Sequence, residues 1–579
     1  MKQPSRLIAL AVVAILFLVG FIGFQWLGGR SSLKLVTGSR SVPEASIFVP
    51  ENALAMGSFL VNLDDAESIQ KALTASRGCQ SSNEINRIRS LVLQGTGLNY
   101  NKDIRPWLGN EVTLALMTLD IDRNRKNGAQ PGYLFALSTT DAGASRGALE
   151  KFWQRQQAAG ETVAYEQYKG VQFTYRQMGE PTAKSKGSKA LNSQGLNSQG
   201  LSTAAFGDRF VLFANSPKVL REAINDVQAA SLSLDQSQVY QRAVQQLGGG
   251  QLGFVFLNLG RWGLDLTRAD AVPTAQPSLA LAISANPKGL ITETALIATE
   301  EPGNGSAAPS LTQPIAALKY LPKSSPLVIA GTDLRHLWAE VEATLATTPQ
   351  LQNLARQPLE IIKQLWGVDL AEDIFSWVTG EYALALWPRT DRPRPDWLFI
   401  AQRSPEAQAA IDQIDQIAEA QGYRIEQFSL GGQTLSTWAE VATVPVQLDP
   451  VDPVDPADTP IDPQIVRERA KGAHATVEDY EIFTTSVEAM DKAIGAAKAG
   501  YILNDQDFKT SLGQLPKEND GYLFLNWTQG GQLLQRQVPL LKIVELSARS
   551  FFDHLHSLTI TSTGMTEDVK RATVFVQLR

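Results

Sequence analysis

The sequence predicts an α+β fold made of two tandem copies of one unit, after an N-terminal transmembrane helix. The first observation is the frame Asp-Ile-x-x-Trp-x-x-x-Glu-x-x-Leu-Ala-Leu, which begins at Asp103 and again, without a gap, at Asp373. The second is that hairpin-like links outnumber strict strand–helix alternations. This favours a mainly antiparallel sheet with helices on one face of each unit. The third is the uncharged run from Leu7 to Gly29.

The N-terminal run has the length and composition of a membrane anchor. Leu7 to Phe24 is apolar throughout, and the uncharged run would extend about 34 Å as a helix, enough for a ~30 Å hydrocarbon core. A cleaved signal peptide is the alternative, but its apolar stretch is typically about 7–15 residues and ends in a small-x-small site. We therefore expect residues 1–30 to be retained as a single-pass signal anchor, with the lipid bilayer as the partner of Leu7 to Phe24.

The charges that flank this run help to predict on which side of the membrane the rest of the chain, called the body here, is located. Lys2 and Arg6 precede the run, whereas Arg30, Lys34 and Arg40 follow it. The positive-inside count is therefore nearly a tie. Because a very short head before a long body is the usual layout of a signal anchor, we expect the body on the non-cytoplasmic side.

Further segments repeat in the same order at an offset close to 270 residues. Gly253 to Asn258 matches Gly521 to Asn526, and Glu166 to Tyr168 matches Glu426 to Phe428. Internal repeats of this kind indicate a duplicated structural unit. The predicted divisions are a linker at 31–48, a first unit at 49–299, a second linker at 300–320 and a second unit at 321–579.

Each element of the first unit follows from a local pattern. Leu54 to Asn62 is an apolar strand, and Asp64 is a suitable cap for a helix that ends at Ala75. Alternating stretches and the turn at Lys169-Gly170 predict antiparallel strands, and Ser216-Pro217 predicts a helix start. The other predicted elements are helices at Glu84–Leu93 and Ala148–Ala158, and strands at Glu111–Thr118, Gly132–Ser138, Val163–Tyr168, Val171–Arg176, Arg209–Ala214, Leu252–Asn258, Leu279–Ala285 and Leu290–Ile297.

One low-complexity insert falls at a corresponding place in each unit. The insert at 181–202 carries lysines and a repeated Leu-Asn-Ser-Gln-Gly, and the insert at 444–463 carries Asp-Pro steps. A polyproline II helix has three residues per turn, so aspartates three apart would form one acidic stripe. Two interpretations stay open: weak binding of cations or a basic partner, and a stiff, solvated loop.

The composition excludes several classes of protein. Hydrophobic residues make up 44% and charged residues 19% of the chain. That is apolar enough for cores and excludes a mainly disordered chain. The net charge of −7 argues against a dedicated nucleic-acid binder, which needs a basic face. Cys79 is the single cysteine, so the chain forms no internal disulfide and no cysteine-based metal cluster.

The pattern nearest to a catalytic motif is a Gly-x-Ser-x-Gly at Gly143–Gly147, with Ser145 as the nucleophile. It follows a predicted strand and precedes a predicted helix, as a nucleophile elbow does. A hydrolase also requires a histidine and an acid. All four histidines lie in the second unit, whose matching segment Gln402–Glu406 has no elbow. We therefore interpret Ser145 as part of a strand-to-helix turn and assign no catalytic residue.

The four histidines are His336, His474, His554 and His556. His554 and His556 are two residues apart, so on a strand they would point the same way. A metal site would need a third ligand, and the sequence indicates none nearby. We therefore predict no metal and no cofactor.

The repeated tryptophan and glutamate of the frame have structural explanations. Trp107 and Trp377 suit large anchors of the core, since no chemistry requires an indole there. Glu111 and Glu381 stand at strand starts, where a carboxylate usually pairs with a backbone donor or an arginine.

The frame Asp-Ile-x-x-Trp-Leu-Gly-Asn-Glu-Val around Trp107 resembles the hallmark of an uncharacterised, mostly cyanobacterial family, the domain of unknown function 3352. The membrane segment and the two-copy length are similar too, and the resemblance covers most of residues 49–579. The second copy departs from the pattern at Thr379-Gly380. The resemblance implies a protein tethered to the plasma or thylakoid membrane of a photosynthetic bacterium, and it implies no activity or functional residue.

The leading functional hypothesis is a membrane-anchored, non-cytoplasmic, non-enzymatic binding or scaffold protein of unknown ligand. One alternative is a serine hydrolase that uses Ser145. Another is a carrier of apolar ligands in a groove between sheet and helices. A histidine within reach of Ser145 would favour the hydrolase, and a tunnel would favour the carrier.

Overall fold

The structure is a computed structural model. It describes residues 41–61, 100–124, 129–177, 200–250, 252–262, 277–286, 288–297, 311–346, 360, 363, 368–389, 394–445, 464–537, 552–553, 555–566 and 569–578. The anchor at 1–30, the helices predicted at 64–75 and 84–93, and most of both inserts lie outside the described residues. Within the described ranges, no helix is both long enough and apolar enough to cross a bilayer.

The chain divides into two compact units. The strands of unit 1 are β1 (Ala55–Phe59), β2 (Leu108–Thr118), β3 (Gly132–Thr139), β4 (Val163–Tyr168), β5 (Val171–Arg176), β6 (Ser202–Phe206), β7 (Phe210–Ala214), β8 (Gly253–Asn258), β9 (Ser278–Asn286), β10 (Gly289–Ile297) and, from the far end of the chain, β20 (Val569–Leu578). Its α-helices are α1 (Ala142–Ala158), α2 (Pro217–Gln228), α3 (Gln238–Leu247) and the short α4 (Leu259–Trp262).

Unit 2 holds the strands between them in sequence. They are β11 (Leu327–Thr332), β12 (Glu381–Trp387), β13 (Asp396–Gln402), β14 (Arg424–Leu430), β15 (Gln433–Pro445), β16 (Gln464–Val477), β17 (Tyr480–Thr484), β18 (Gly521–Asn526) and most of β19 (Leu555–Thr566). Its α-helices are α5 (Leu334–Ala346), α6 (Ala407–Ala420), α7 (Val487–Ala499), α8 (Gln506–Leu512) and α9 (Trp527–Gln537).

Each unit is built on an antiparallel sheet, as the hairpin-rich sequence predicts. In unit 1 the strand order is β4-β5-β6-β7-β3-β2-β1-β8-β9-β10-β20. In unit 2 it is β14-β15-β16-β17-β13-β12-β11-β18-β19. When β11 to β19 of unit 2 are matched in chain order to β1 to β9 of unit 1, the two spatial orders are the same, with β14 matching β4 and β11 matching β1.

The prediction that helices cover one face of each sheet is wrong. In β7, Leu212 packs into a core with α2 and α3, whereas its neighbour Phe213 packs into a second core with α1. All five residues of β7 are buried, because successive side chains point to opposite faces and both faces are covered. In β17 of unit 2, Ile482 and Phe483 likewise face two separate cores.

The ends of both predicted linkers belong to the folded units. Glu44–Phe48 and Ala316–Tyr320 form 3-10 helices, and Phe48 and Leu318 are fully buried. The predicted linkers 31–48 and 300–320 therefore each end in core-forming residues. The sequence around Phe48 and Leu318 did not predict their burial. The strands that cover these side chains come from distant parts of the chain.

The helix predicted to begin at Ala148 begins earlier, at Ala142. Asp141 caps it, and the Asp141 carboxylate accepts a hydrogen bond from the backbone N–H of Ala144. This cap satisfies one of the free donors of the first helical turn. Ser145 therefore lies inside the first turns of α1 and not in a tight elbow before it.

Candidate functional site

The repeated Asp-Ile-x-x-Trp frame is part of the scaffold. The Trp107 indole N–H donates to the backbone carbonyl of Asp103 at 2.6 Å, and the Trp377 indole N–H donates to that of Asp373 at 2.9 Å. Trp107 is 1% exposed and Trp377 is 4% exposed. A buried indole needs a hydrogen-bond acceptor, and in both units the π-helical turn before the tryptophan supplies it.

The repeated glutamate of the frame holds the 3-10 helix of its unit. Glu111 accepts from the backbone N–H groups of Ala45 at 2.9 Å and Glu44 at 3.0 Å, and Glu381 accepts from that of Ala317 at 3.0 Å. Burial raises the pKa of Glu111 above its ordinary value, and the hydrogen bonds from Ala45, Thr113 and Glu44 oppose this shift. Both glutamates thus accept from backbone donors, one of the two partners that the sequence suggests.

Ser145 lacks the surroundings of a nucleophile. It is 1% exposed, and its hydroxyl donates to the backbone carbonyl of Ala142 at 3.1 Å. Within the described residues no histidine bonds to it. The Ser145 hydroxyl therefore forms a hydrogen bond within the first turn of α1.

Two of the described histidines of unit 2 have local roles. The backbone N–H of His336 donates to Asp333 at the start of α5. The His556 ring contacts the Thr528 hydroxyl at 3.0 Å and the Asp507 carboxylate at 3.0 Å. His554 lies outside the described residues, and the residues that are described contain no group of three or more metal-ligating side chains.

His474 belongs to a row of side chains that crosses four neighbouring strands of unit 2. Gln427 of β14 is opposite Ser436 of β15, Ser436 is opposite His474 of β16, and His474 is opposite Phe483 of β17. Directly opposed residues of an antiparallel pair place their side chains on the same face. The Gln427 amide N–H donates to the Ser436 hydroxyl at 3.4 Å.

Asp415 of α6 lies over this row. Its Oδ1 is 3.2 Å from His474 Nε2 and accepts from the Trp438 indole N–H at 2.7 Å. Burial works to raise the pKa of Asp415, but the adjacent His474 imidazole and the hydrogen bond from Trp438 outweigh burial and hold the pKa below its ordinary value. Asp415 is therefore an ionised carboxylate at neutral pH.

Aromatic rings fix the position of the imidazole. The His474 ring centroid is 5.6 Å from that of Trp438 and 5.9 Å from that of Phe483, onto which it stacks. Trp438 lies close against β16 because Gly472 has no side chain: a Cβ there would come within 2.4 Å of the indole. The side chains of Trp438 and Phe483 thus leave the imidazole little rotational freedom.

Unit 1 has the same row without the imidazole and the carboxylate. Its opposed residues are Tyr165, Thr174, Thr203 and Phe213 on β4 to β7. There the Trp153 indole of α1 donates to the Thr203 hydroxyl at 2.8 Å. The helix that covers the row therefore contacts the same position in both units, but only unit 2 places a carboxylate and an imidazole there.

The sequence did not indicate this site. Asp415, Ser436 and His474 come from a helix and two strands and form no short motif. A signal becomes visible only once the strands are paired, because His474 then occupies the place of Thr203 and Ser436 the place of Thr174. Together the unit 2 residues provide a hydroxyl, an imidazole and a carboxylate in sequence across one sheet face.

The chain is thus an α+β protein of two compact units, in each of which helices cover both faces of antiparallel strands. The chain belongs to the family described as "Protein of unknown function (DUF3352)", whose model matches residues 9–578. The cores and the repeated frame described above lie within that match.

Other comparisons add little. No curated protein matches the chain. A solved structure entitled "Structure of crystal form I of TP0453" aligns with 46% of this chain and 81% of its own, at 12% sequence identity and a TM-score of 0.21.

Proposed function

We propose that the protein is a membrane-anchored binding protein made of two tandem copies of one unit, with its body on the non-cytoplasmic side. The apolar run Leu7 to Phe24 supports the anchor. The shared strand order of the two sheets, together with the repeated bonds of Trp107 and Trp377, supports a duplication. A duplicated unit offers two similar binding surfaces on one anchor, which favours multivalent attachment.

The observation that carries the binding function is the outer strand of each sheet. Within the described residues, β4 pairs with β5 alone and β14 pairs with β15 alone. Both strands also present aromatic side chains to solvent: Tyr165 is 58% exposed and Phe428 is 40% exposed. An outer strand with exposed aromatic residues is a template for pairing with another chain.

The chemistry of these strands defines the partner class. Along the outer edge, no described strand other than β5 or β15 pairs with β4 or β14, and an extended peptide could add a strand there through its own N–H and C=O groups. Tyr165 and Phe428 would contact apolar side chains at alternate positions of that peptide. The proposed ligand is therefore an extended segment of a partner protein with apolar residues at every second position.

Two experiments together would test this function: selection of binding peptides from a displayed library, followed by backbone hydrogen exchange of the protein with a selected peptide. The full chain in detergent is the bait for a library of extended peptides, and exchange is then measured with a selected peptide bound. The backbone amides of β4 or β14 should gain protection. Tyr165→Lys with Phe428→Lys should weaken binding about tenfold or more, because aromatic anchors dominate interfaces.

A matched control distinguishes binding at the outer strands from nonspecific hydrophobic binding. Leu337 of α5 is also a partly exposed apolar residue, 39% exposed, so Leu337→Lys changes the surface charge without touching an outer strand. It should leave the affinity unchanged. Peptides that bind the double-lysine variant as tightly as the native protein, or that protect neither strand, would refute the outer-strand function.

The carrier alternative has no specific observation in its favour. A carrier needs space between sheet and helices, whereas the described cores there are filled by buried side chains such as Phe152, Phe254 and Phe508.

A further inference from the structure

We infer that Ser436, His474 and Asp415 form a reactive-serine site in unit 2 that accepts uncharged carboxylic esters. This activity goes beyond the proposed binding function and does not depend on it. The inference rests on the placement of a hydroxyl, an imidazole and a carboxylate in one row, the arrangement that activates a serine in hydrolases of unrelated folds.

The hydroxyl and the imidazole are brought together by strand register. Ser436 and His474 are directly opposed on β15 and β16. In such a pair the two Cβ atoms are about 4.5–5.5 Å apart on the same face. In the structure the Ser436 hydroxyl accepts from Gln427 and is not bonded to the imidazole, so the nucleophile would have to turn about χ1 to reach His474 when a substrate binds.

The carboxylate selects the tautomer of the imidazole. His474 Nε2 is the nitrogen that faces Asp415, at 3.2 Å. The 3.2 Å contact is not aligned as a hydrogen bond in the structure; once the ring turns into line, the ionised carboxylate accepts only, so Nε2 would carry the proton and Nδ1 would have the free lone pair. His474 can then take the Ser436 proton at Nδ1, and Asp415 is the positioning residue that stabilises the imidazolium.

Gln427 supplies a donor for the developing oxyanion and marks the entrance. Its amide N–H donates to the Ser436 hydroxyl at 3.4 Å, so this donor lies beside the nucleophile and could turn to a substrate carbonyl oxygen once the ester is bound. Gln427 is exposed on the outer strand β14, whereas Ser436 and His474 are buried. A substrate would therefore approach from the sheet edge.

The reaction balances with water as the co-reactant. Ser436 Oγ attacks the ester carbonyl carbon, an Oγ–C bond forms, and the hydroxyl proton moves to His474 Nδ1. The bond from carbon to the alkoxy oxygen then breaks, and the leaving alcohol takes that proton. Water attacks the acyl-serine and passes a proton through Nδ1 back to Ser436 as the carboxylic acid leaves.

The walls of the site indicate the acyl group. Trp438 and Phe483 line the imidazole, and Asp415 is the charged group in contact with it. Aromatic walls favour an apolar or aromatic acyl chain, and the carboxylate disfavours an anionic one.

The test uses the full chain in detergent with a fluorophosphonate probe, whose fluoride is displaced by an activated serine. Mass spectrometry should locate the label on Ser436. Ser436→Ala should abolish labelling, and Ser145→Ala should leave it unchanged. His474→Thr should slow labelling by about 100-fold or more, the usual contribution of a general base.

Folding is controlled by the residues of unit 1. Threonine occupies the place of His474 there, so His474→Thr suits the strand, and its unfolding transition should match that of the native protein. Absence of label on Ser436 in the folded protein, or equal labelling in His474→Thr, would overturn the inference. Peptide binding at the outer strands is a separate measurement, so either proposal can fail alone.

The role of Asp415 has its own readout. An imidazole N–H bonded to a carboxylate gives a low-field proton resonance; the resonance of His474, identified by its loss in His474→Thr and so distinguished from that of His556 beside Asp507, should also disappear in Asp415→Asn. Asp415→Asn should also slow labelling of Ser436, whereas Asp412→Asn, an exposed neighbour on α6, should change neither. Persistence of the His474 resonance in Asp415→Asn would exclude Asp415 as the positioning residue.

Discussion

Asp226 is a buried carboxyl group in α2. It is 3% exposed, and one of its carboxyl oxygens has no hydrogen-bond partner. Burial raises the pKa of Asp226 to about 8, and repulsion from Glu222 one turn earlier adds to this shift. At the matching position of α7, ten residues after the capping Ser486, unit 2 has the buried Ala496. Unit 1 thus retains an ionisable group where unit 2 has a methyl group.

We predict that Asp226→Ala stabilises the protein at neutral pH and removes a pH dependence. The folded-state pKa of about 8 is above the unfolded value of about 3.9. The stabilisation by the bound proton is therefore complete below about pH 4 and is lost as the pH rises to about 8. At pH 7.5 the substitution should raise the free energy of unfolding by up to about 4 kcal/mol.

Urea denaturation at pH 5 and pH 7.5 measures this effect. Asp491→Ala, at an exposed position of α7, is the matched control and should keep the native pH dependence. A free energy of unfolding that falls in Asp226→Ala at both pH values would show that the carboxyl group has a stabilising partner.

Glu111 leads to a second prediction at this scale. Glu111→Ala should lower the free energy of unfolding by about 1–3 kcal/mol, because the N–H groups of Glu44 and Ala45 lose their acceptor in the interior. Glu111→Gln retains one acceptor oxygen and should cost less. Glu150→Ala, on the exposed side of α1, is the control. Equal stability of Glu111→Ala and the native protein in urea would contradict the role of Glu111.

At the scale of elements, β20 completes the sheet of unit 1. It pairs with β10 over nine residues, from Gly289 opposite Gln577 to Ile297 opposite Val569. The sequence division placed this strand in the second unit, at 321–579, because it follows β19 along the chain. Its contacts assign it to unit 1, where it covers what would otherwise be an outer edge.

Phe575 tests this assignment. It is fully buried in β20, and Phe575→Ala should destabilise unit 1 by about 3–5 kcal/mol through the cavity it leaves. Hydrogen exchange should accelerate in β10, whereas the amides of β12 and β13 in unit 2 serve as the internal control. Faster exchange in β12 and β13 alone would place Phe575 in the wrong unit.

The hairpins show how sequence matching can miss the register of an element. The sequence match pairs Tyr168 with Phe428, but the turn residues are Lys169-Gly170 in one hairpin and Gly431-Gly432 in the other. Tyr168 therefore corresponds to Leu430, two residues further on. A shift of two residues keeps every side chain on its face, so the sequence pattern alone cannot detect it.

At the scale of the whole molecule, the anchor remains a prediction. Carbonate extraction of membranes should leave the full-length protein in the pellet, and its mature N-terminus should still contain Leu7 to Phe24. The reason is the length of the uncharged run, which exceeds that of a signal peptide. A soluble form that begins near Arg30 would show cleavage.

Orientation requires a different measurement. Alkaline phosphatase fused after Arg579 folds to an active form only when exported, so it should be active if the body is on the non-cytoplasmic side. The same fusion on a variant that lacks residues 1–30 is the control and should be inactive. Activity lost in the full-length fusion would reverse the proposed orientation.

Local patterns in the sequence were enough to predict the antiparallel α+β class, most of the strands described in unit 1, and the structural nature of Trp107 and Glu111. These features depend on local alternation, turn residues and a repeated frame, all of which are encoded by neighbours along the chain.

Three features could be seen only in the folded chain: helices cover both faces of the strands in each unit, β20 belongs to unit 1, and Asp415, Ser436 and His474 lie close together. The physical reason is that covering, edge pairing and the assembly of a site depend on which distant strands become neighbours. A strand with both faces buried has the same short apolar sequence whichever helices cover it. Ser436 and His474 are opposed because β15 and β16 pair in one register, and no spacing along the chain specifies that register.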